Sequence, residues 1–425
     1  MKLVKLVYQR VFHEEMSADV QTFLKNVVYV SIGSIISAVF VIIFTILGGR
    51  FLGPVEYGKF SLIQTVASFL LIPMLLGFAT AMLKYSSEKN DFRRQSAIII
   101  TTSTLVLLLT TVCIFIFIIF TPWLSKLFAI PPEFFHLAII FAGIWVFYTI
   151  VTSALRGLNM MKEYSIFQIV YGSILLLSFF IFIIDKRLTF GTMLYSMLIT
   201  YFICTLTIIV MNMHKFTRWN FERSLVGLLS KYALISCIGG ISATLYFNVD
   251  TIMISRYLNI KDVGIYNAYT TISIGGACLL FSMFIAVFFP TISRYEKKGI
   301  IFKRTNKIIP YIIIFGVPFM IVCEFISLKF YGNKYPIDWI WVILASIASI
   351  GVIIEGLYSW ILNSVGSSGA KISAFCAICI AVTNIGLNIL LIPLINIAGG
   401  LLSTIISFII GILILLYFGR AYLNT

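Results

Sequence analysis

The sequence predicts an all-α integral membrane protein in which about 12 transmembrane helices form two parallel six-helix repeats. Three observations carry that prediction. Hydrophobic residues fill 60% of the 425 positions and charged residues only 11%, with a mean hydropathy of +1.04, outside the balance of a water-soluble domain. The apolar residues fall in runs of about 20, the length a helix needs to cross the bilayer core. One polar ten-residue phrase, GRFLGPVEYG at 49–58, returns in altered form as SRYLNIKDVG at 255–264.

The spans are expected at 26–47, 59–83, 96–120, 134–155, 165–184, 189–213, 232–254, 264–289, 308–330, 338–362, 371–394 and 398–419. Gly53-Pro54 and Gly58 make a tight turn between the first two. Lys84, Lys89, Arg93 and Arg94 part the second from the third, and Arg156 and Lys162 part the fourth from the fifth. Between spans five and six Asp185, Lys186 and Arg187 precede only Thr189, Phe190 and Gly191, so the turn there is short. Two basic stretches, HKFTRWNFERSLVGLLSK (214–231) and RYEKKGIIFKRTNK (294–307), close spans six and eight. The chain thus divides into an amino-terminal segment at 1–25, an N-lobe at 26–213, a basic linker at 214–231 and a C-lobe at 232–425. In the first segment Leu3, Leu6, Val7, Val11 and Phe12 recur at helical spacing among basic residues, the pattern of an interfacial helix.

Counting charge by loop orients the bundle. With the amino terminus inside, 22 of the 31 Lys and Arg residues fall on the cytoplasmic side and nine outside, which favours two cytoplasmic termini. The net charge of +15 is then topology and attraction to anionic lipid, not a nucleic-acid footprint. Seven cysteines are scattered through apolar segments. Cys376 and Cys379 spell C-x-x-C, but inside a span with no second pair or histidine, so they are read as packing residues and no metal site is expected. The three histidines, His13, His136 and His214, lie in or near loops, and no catalytic constellation is present. A transporter is expected, not an enzyme.

The repeat supports that expectation. Aligned without gaps, Arg50 meets Arg256, Phe51 meets Tyr257, Leu52 meets Leu258, Glu56 meets Asp262, Gly58 meets Gly264 and Phe60 meets Tyr266. MLKYSSEK (82–89) echoes ISRYEKKG (292–299), and LRGLNMMKEYS (155–165) echoes LNSVGSSGAKI (362–372). Halves related by an axis along the membrane normal place a substrate site between them near the midplane.

GRFLGPVEYGKFSL, MLKYSSE, RGLNMMKEYS, VDTIMISRYLNIKDVGIYNAYTTI and PTISRYEKKG resemble, in order and spacing, the Wzx-type polysaccharide and O-antigen flippases. That resemblance covers most of the chain and places it with the MATE-like multidrug, oligosaccharidyl-lipid and polysaccharide exporters. It implies V-shaped lobes and a cargo of lipid-linked (undecaprenyl-diphosphate) oligosaccharide, flipped by alternating access in the bacterial inner membrane. Membrane lipids and the polysaccharide polymerase machinery are the implied partners. The peptidoglycan-precursor branch usually carries two further helices, which this chain is too short to supply.

Such a cargo calls for a polar, partly cationic cavity. In span two Ser61, Gln64, Thr65 and Ser68 share a helical face, continued by Gly77, Thr80 and Lys84 if Pro73 kinks the helix, against the alternative of hydroxyls bonded back to their own helix. Lys84 and Arg294 at matching helix ends, with Arg156, are the candidates for pyrophosphate contact, against the alternative of anchoring. Asp250, Glu324 and Glu355 are acids inside spans, which are costly and mark ion sites or structural pairs. With Asn248 they are the candidates for coupling to H+ or Na+; no other cofactor is expected. Pairing of the acids with Arg256, Lys329 or backbone is the structural alternative. Asn384 and Asn388 are read as interhelical hydrogen-bonding residues, and Arg50 and Arg256 as outer-gate candidates. The alternative function is a MATE-type cation-coupled small-molecule antiporter, which would need an acidic, apolar cavity. A membrane glycosyltransferase or polymerase would need a large or acidic outer loop, and Glu56 stands there alone.

Overall fold

A computed structural model describes residues 18–88, 91–184, 188–212, 221–294 and 298–423. Of the expected interfacial segment, 1–17 lies outside the described residues. In chain order the helices are α1 (Ala18–Leu75), α2 (Phe78–Ser87), α3 (Phe92–Ile119), α4 (Thr121–Leu127), α5 (Pro132–Gly157), α6 (Met161–Ile184) and α7 (Phe190–Asn212). The second half continues with α8 (Arg223–Tyr257), α9 (Ile260–Thr270), a π turn (Thr271–Gly275), α10 (Gly276–Arg294), α11 (Lys298–Tyr331), α12 (Trp339–Asn363), α13 (Ser367–Ile395) and α14 (Ile397–Leu423). The described residues contain no strand.

Eleven of these stretches are long and apolar enough to cross a membrane. The first, Val28–Leu75, runs 48 residues, more than twice the needed length, and its helical backbone breaks at Gly53 (φ 78, ψ 171). Glycine tolerates that left-handed backbone, and Pro54 can open the second arm because the first N–H of a helix has no partner to lose. The expected tight turn is therefore one residue, and the two arms are spans one and two.

Other boundaries differ for local reasons. Helix α8 begins at Arg223, inside the expected linker, and α11 at Lys298, so both basic stretches are partly helical extensions beyond the apolar runs. The kink expected at Pro73 lies elsewhere. Pro73 stays inside α1, and the break falls at Leu76 (φ 43) and Gly77 (φ 78), two successive left-handed residues that no α-helix accommodates. A Cβ at Gly77 would press into the Ala233 carbonyl, so glycine also permits the close approach of α8.

Packing defines two ends. One apolar core crosses both halves of the chain, joining Phe44, Tyr57 and Phe60 to Ile254, Tyr266, Tyr331, Tyr335 and Val342 at the distal end, where Arg50 and Arg256 lie, and including Phe78, Ala81 and Met82 with Leu229 and Ala233 at the other. A second core, built on Tyr358, Ile361, Cys376, Phe408 and Leu415, belongs to the C-terminal half alone. The proximal end, where Lys84 and Arg156 lie, holds a cavity.

Candidate functional site

The cavity encloses about 390 Å³ between α1, α2, α5 and α8. Its polar lining is Ser68, Thr80, Thr149, Ser153, Arg156, Ser236 and Thr244, set among apolar residues including Leu71, Leu75 and Leu83. Arg156 sits in the last turn of α5, where a cation complements the carbonyl end of the helix. Its Nη2 donates to Ser153 Oγ at 3.3 Å and its guanidinium carbon lies 5.4 Å from the Tyr164 ring centre. Its Nε is buried and has no hydrogen-bond partner. Lys84 stands beside the cavity rather than in its wall: Nζ lies 4.1 Å from the Tyr232 ring centre and 5.1 Å from that of Tyr85.

Of the predicted stripe on span two, Ser68, Gly77 and Thr80 line the cavity. Ser68 Oγ donates back to the Thr65 carbonyl at 2.6 Å. Gln64 is turned into the N-lobe, where Nε2 lies 4.0 Å from Met197 Sδ; helix packing against α7 decides its direction. Arg294 ends α10, and the expected pairing of its side chain with Lys84 lies outside the described groups. The structure therefore brings Arg156 and Ser68 together and leaves Gln64 out.

A second constellation is buried in the C-lobe. Asp250 on α8 is 2% exposed. Its Oδ2 accepts from Tyr266 Oη at 2.6 Å and from Thr404 Oγ1 at 2.7 Å, and its Oδ1 accepts from Asn388 Nδ2. Asn388 donates also to Asn384 Oδ1 at 3.0 Å, and Asn384 to Thr404 Oγ1 at 3.4 Å. Four helices thus meet on one carboxylate held by neutral donors. The basic residues offered as structural partners are engaged elsewhere: Arg256 bonds the Lys126 carbonyl and Lys329 lies 5.4 Å from the Phe325 ring centre. Asn248 does not join, since it donates to Thr244 of its own helix at 3.1 Å.

Sequence reasoning assigned Asn384 and Asn388 to interhelical bonding and passed over Tyr266 and Thr404. The repeat held the signal. The offset of 206 residues that carries Arg50 to Arg256 carries Phe44 to Asp250 and Phe60 to Tyr266. In the N-lobe those positions form an edge-to-face aromatic pair with ring centres 6.3 Å apart; in the C-lobe they form the carboxylate–hydroxyl pair.

The other acids are separate from this cluster. Glu324 is fully buried between α11 and α12; Ser346 Oγ donates to its Oε2 at 3.5 Å, while its Oε1 and the Ser327 hydroxyl have no partner. Glu355 lies beside Ser359 on α12. No group of three His, Cys, Asp or Glu residues that could hold a metal ion occurs among the described residues. Buried Cys376 donates Sγ to the Gly411 carbonyl at 3.3 Å, an ordinary packing contact. Glu56 pairs with Lys59 at 2.5 Å and accepts the Phe190 N–H at 2.8 Å, which caps the start of α7.

Two lobes with a cavity between them and a buried polar centre make up a polytopic membrane protein. A family model described as "Polysaccharide biosynthesis protein" matches residues 23–296, well over half of the chain, and the chain belongs to that family. Solved structures share its fold. An inward-facing multidrug-resistance MATE family transporter of the MOP superfamily superposes with a TM-score of 0.72 at 14% identity, covering 91% of this chain and 94% of that one. The outward-facing conformation of such a transporter gives 0.60 at 14% identity, covering 96% and 99%. The lipid II flippase MurJ in an inward closed conformation gives 0.64 at 15% identity, covering 92% and 87%. No curated protein matches by sequence. The chain is a multi-pass membrane protein of that polysaccharide biosynthesis family, with the fold of the MATE transporters and of the flippase MurJ.

Proposed function

We propose that the chain flips a lipid-linked oligosaccharide, carried on undecaprenyl diphosphate, from the cytoplasmic to the outer leaflet of a bacterial cell membrane by alternating access. The observation that carries this reading is Arg156: a cation in the cavity wall whose buried Nε has no protein partner. A guanidinium can take a diphosphate through parallel N–H bonds, and the hydroxyls of Ser68, Thr80, Thr149 and Ser153 offer further donors to a polar headgroup. Lys84, beside the mouth, adds a second cation as a point charge.

The proximal end faces the cytoplasm in this reading, as does each terminus, which is the side the basic residues favour. In this reading the Asp250 cluster is the coupling site for H+ or Na+, since the carboxylate is held by the neutral donors Tyr266, Asn388 and Thr404 and not by the Arg256 or Lys329 side chain. The partners are membrane lipids and the machinery that polymerises the delivered sugar.

The test is deletion of the gene in its host, with leaflet-specific labelling and mass spectrometry of lipid-linked sugars. Accumulation on the cytoplasmic side with loss of surface polysaccharide is the expected result. Unchanged lipid-linked sugars, with increased sensitivity to cationic compounds, would overturn it in favour of a small-molecule antiporter.

A further inference from the structure

The repeated phrase at 49–58 and 255–264 meets itself in the folded chain. Gly58 and Gly264, equivalent in the repeat, face each other across the lobes. A Cβ at Gly58 would press into the Ile260 carbonyl and stand 2.9 Å from Gly264 N; one at Gly264 would press into the Pro54 carbonyl and stand 3.0 Å from Gly58 N. Pro54 and Ile260 are themselves equivalent at the offset of 206. The contact is a two-fold crossing of backbones with no side chain between them.

The hydrogen bonds around it are exchanged in the same way. Arg50 Nη1 donates to the Phe330 carbonyl of the C-lobe at 3.3 Å, and Arg256 Nη2 donates to the Lys126 carbonyl of the N-lobe at 3.3 Å. One residue earlier in each phrase, Gly49 accepts from Tyr335 Oη at 3.1 Å and Ser255 donates to the Ala129 carbonyl at 2.9 Å. Tyr57 closes the centre, its ring 5.9 Å from Tyr331 and 6.5 Å from Tyr335. Burial raises the Tyr335 hydroxyl above its ordinary pKa, so it stays a neutral donor.

We infer that the two phrases form the distal gate, a symmetric latch in which each lobe's arginine holds a carbonyl of the other lobe and the Gly58–Gly264 crossing is the closing contact. The gate deepens the flippase reading and rests on its alternating access. Three features suit a joint that must open. The arginine bonds are exposed, so water replaces them on separation. Backbones packed through glycine separate without disentangling side chains. The Lys59–Glu56 ion pair at the end of the repeated phrase lies within one lobe and does not cross. Release is then a single event, because equivalent bonds fail together when the lobes rotate.

The experiment places spin labels at exposed Val55 and Tyr257, on opposite lobes at the distal end, in the full chain in lipid nanodiscs, and reads the distance distribution without substrate. The unaltered gate gives a short-distance population. Arg50→Ala and Arg256→Ala each shift the closed-to-open ratio about threefold and the pair about tenfold. Gly58→Leu, which wedges the crossing, moves most of the population to the long distance; Gly58→Ala, at the same place, keeps the proposal testable if the larger residue prevents folding. An unchanged distribution in the folded glycine variants, or in the double arginine variant, overturns the gate. Because the reading needs no cargo, a gate that opens while the deletion host accumulates no lipid-linked sugar would reject the flippase assignment alone.

Discussion

Replacing Arg156 by Gln tests the cavity most directly. Of its guanidinium nitrogens, Nη2 makes one long bond to Ser153 at 3.3 Å and the buried Nε makes none, so at least two N–H directions remain for a bound diphosphate. A hydrogen bond between charged partners contributes about 1.5–3 kcal/mol net. Two such bonds acting as one fork are not additive, and about 3 kcal/mol for the pair corresponds to roughly 150-fold in affinity. Lysine keeps the charge but supplies a point contact, so Arg156→Lys should recover about half of that free energy and bind roughly tenfold weaker than the unaltered chain. The assay is titration of the purified protein in nanodiscs with polyprenyl diphosphate, repeated at high salt, where the difference should narrow. Binding within threefold of normal in Arg156→Gln would refute the reasoning. Equal losses in the Gln and Lys variants would point instead to the contact with Tyr164.

Three further outcomes are expected. Lys84→Glu with Arg294→Glu should abolish export while protein level and membrane insertion stay normal, read by immunoblot and surface-polysaccharide staining; normal export refutes substrate contact by these cations. Gly77→Ala should lower the thermal midpoint in detergent, since the left-handed backbone alone costs about 1–2 kcal/mol for a residue with a Cβ and that Cβ meets the Ala233 carbonyl; an unchanged midpoint would mean that α8 is not held against this break. Asp250→Asn should flatten the sodium or pH dependence of transport in proteoliposomes, and a dependence that survives returns Asp250 to a structural role.

The number and order of spans were legible because hydrophobic length is a property of contiguous sequence. Boundaries at Arg223 and Lys298 were not, since a helix can run past its apolar stretch into water and only tertiary contact stops it. Helical periodicity put Ser68 and Gln64 on one face of span two, yet it could not tell that Ser68 lines the cavity while bonding back to its own helix and that Gln64 turns toward Met197. The break at Leu76–Gly77 was hidden for a similar reason: proline announces a kink, while a leucine in a left-handed conformation announces nothing. Arg156 was readable as a cation at a span end, but its unpaired Nε depends on what α2 and α6 place around it. The Asp250 cluster needed contacts between residues up to 154 positions apart, and only the internal repeat carried a trace of it.

That repeat also supplies a control for the cluster. The N-lobe builds the same junction from Phe44 and Phe60, with Phe179 5.1 Å from Phe44, so the fold does not require polarity at these positions. Replacing both partners of a buried hydrogen bond by apolar groups of the same shape can be nearly neutral or stabilising, whereas removing one partner strands the other. A C-lobe carrying Asp250→Leu, Tyr266→Phe, Asn384→Leu, Asn388→Leu and Thr404→Val together should therefore insert normally and melt at or above the unaltered temperature, while Tyr266→Phe alone should melt lower because the remaining donors must satisfy the carboxylate. Transport by the fivefold variant should lose its dependence on sodium or proton gradients. Failure of that variant to insert, with the single Tyr266→Phe change tolerated, would show that the cluster holds the four helices together, and the coupling site would then have to be sought at Glu324, whose Oε1 and neighbouring Ser327 hydroxyl are buried without a hydrogen-bond partner.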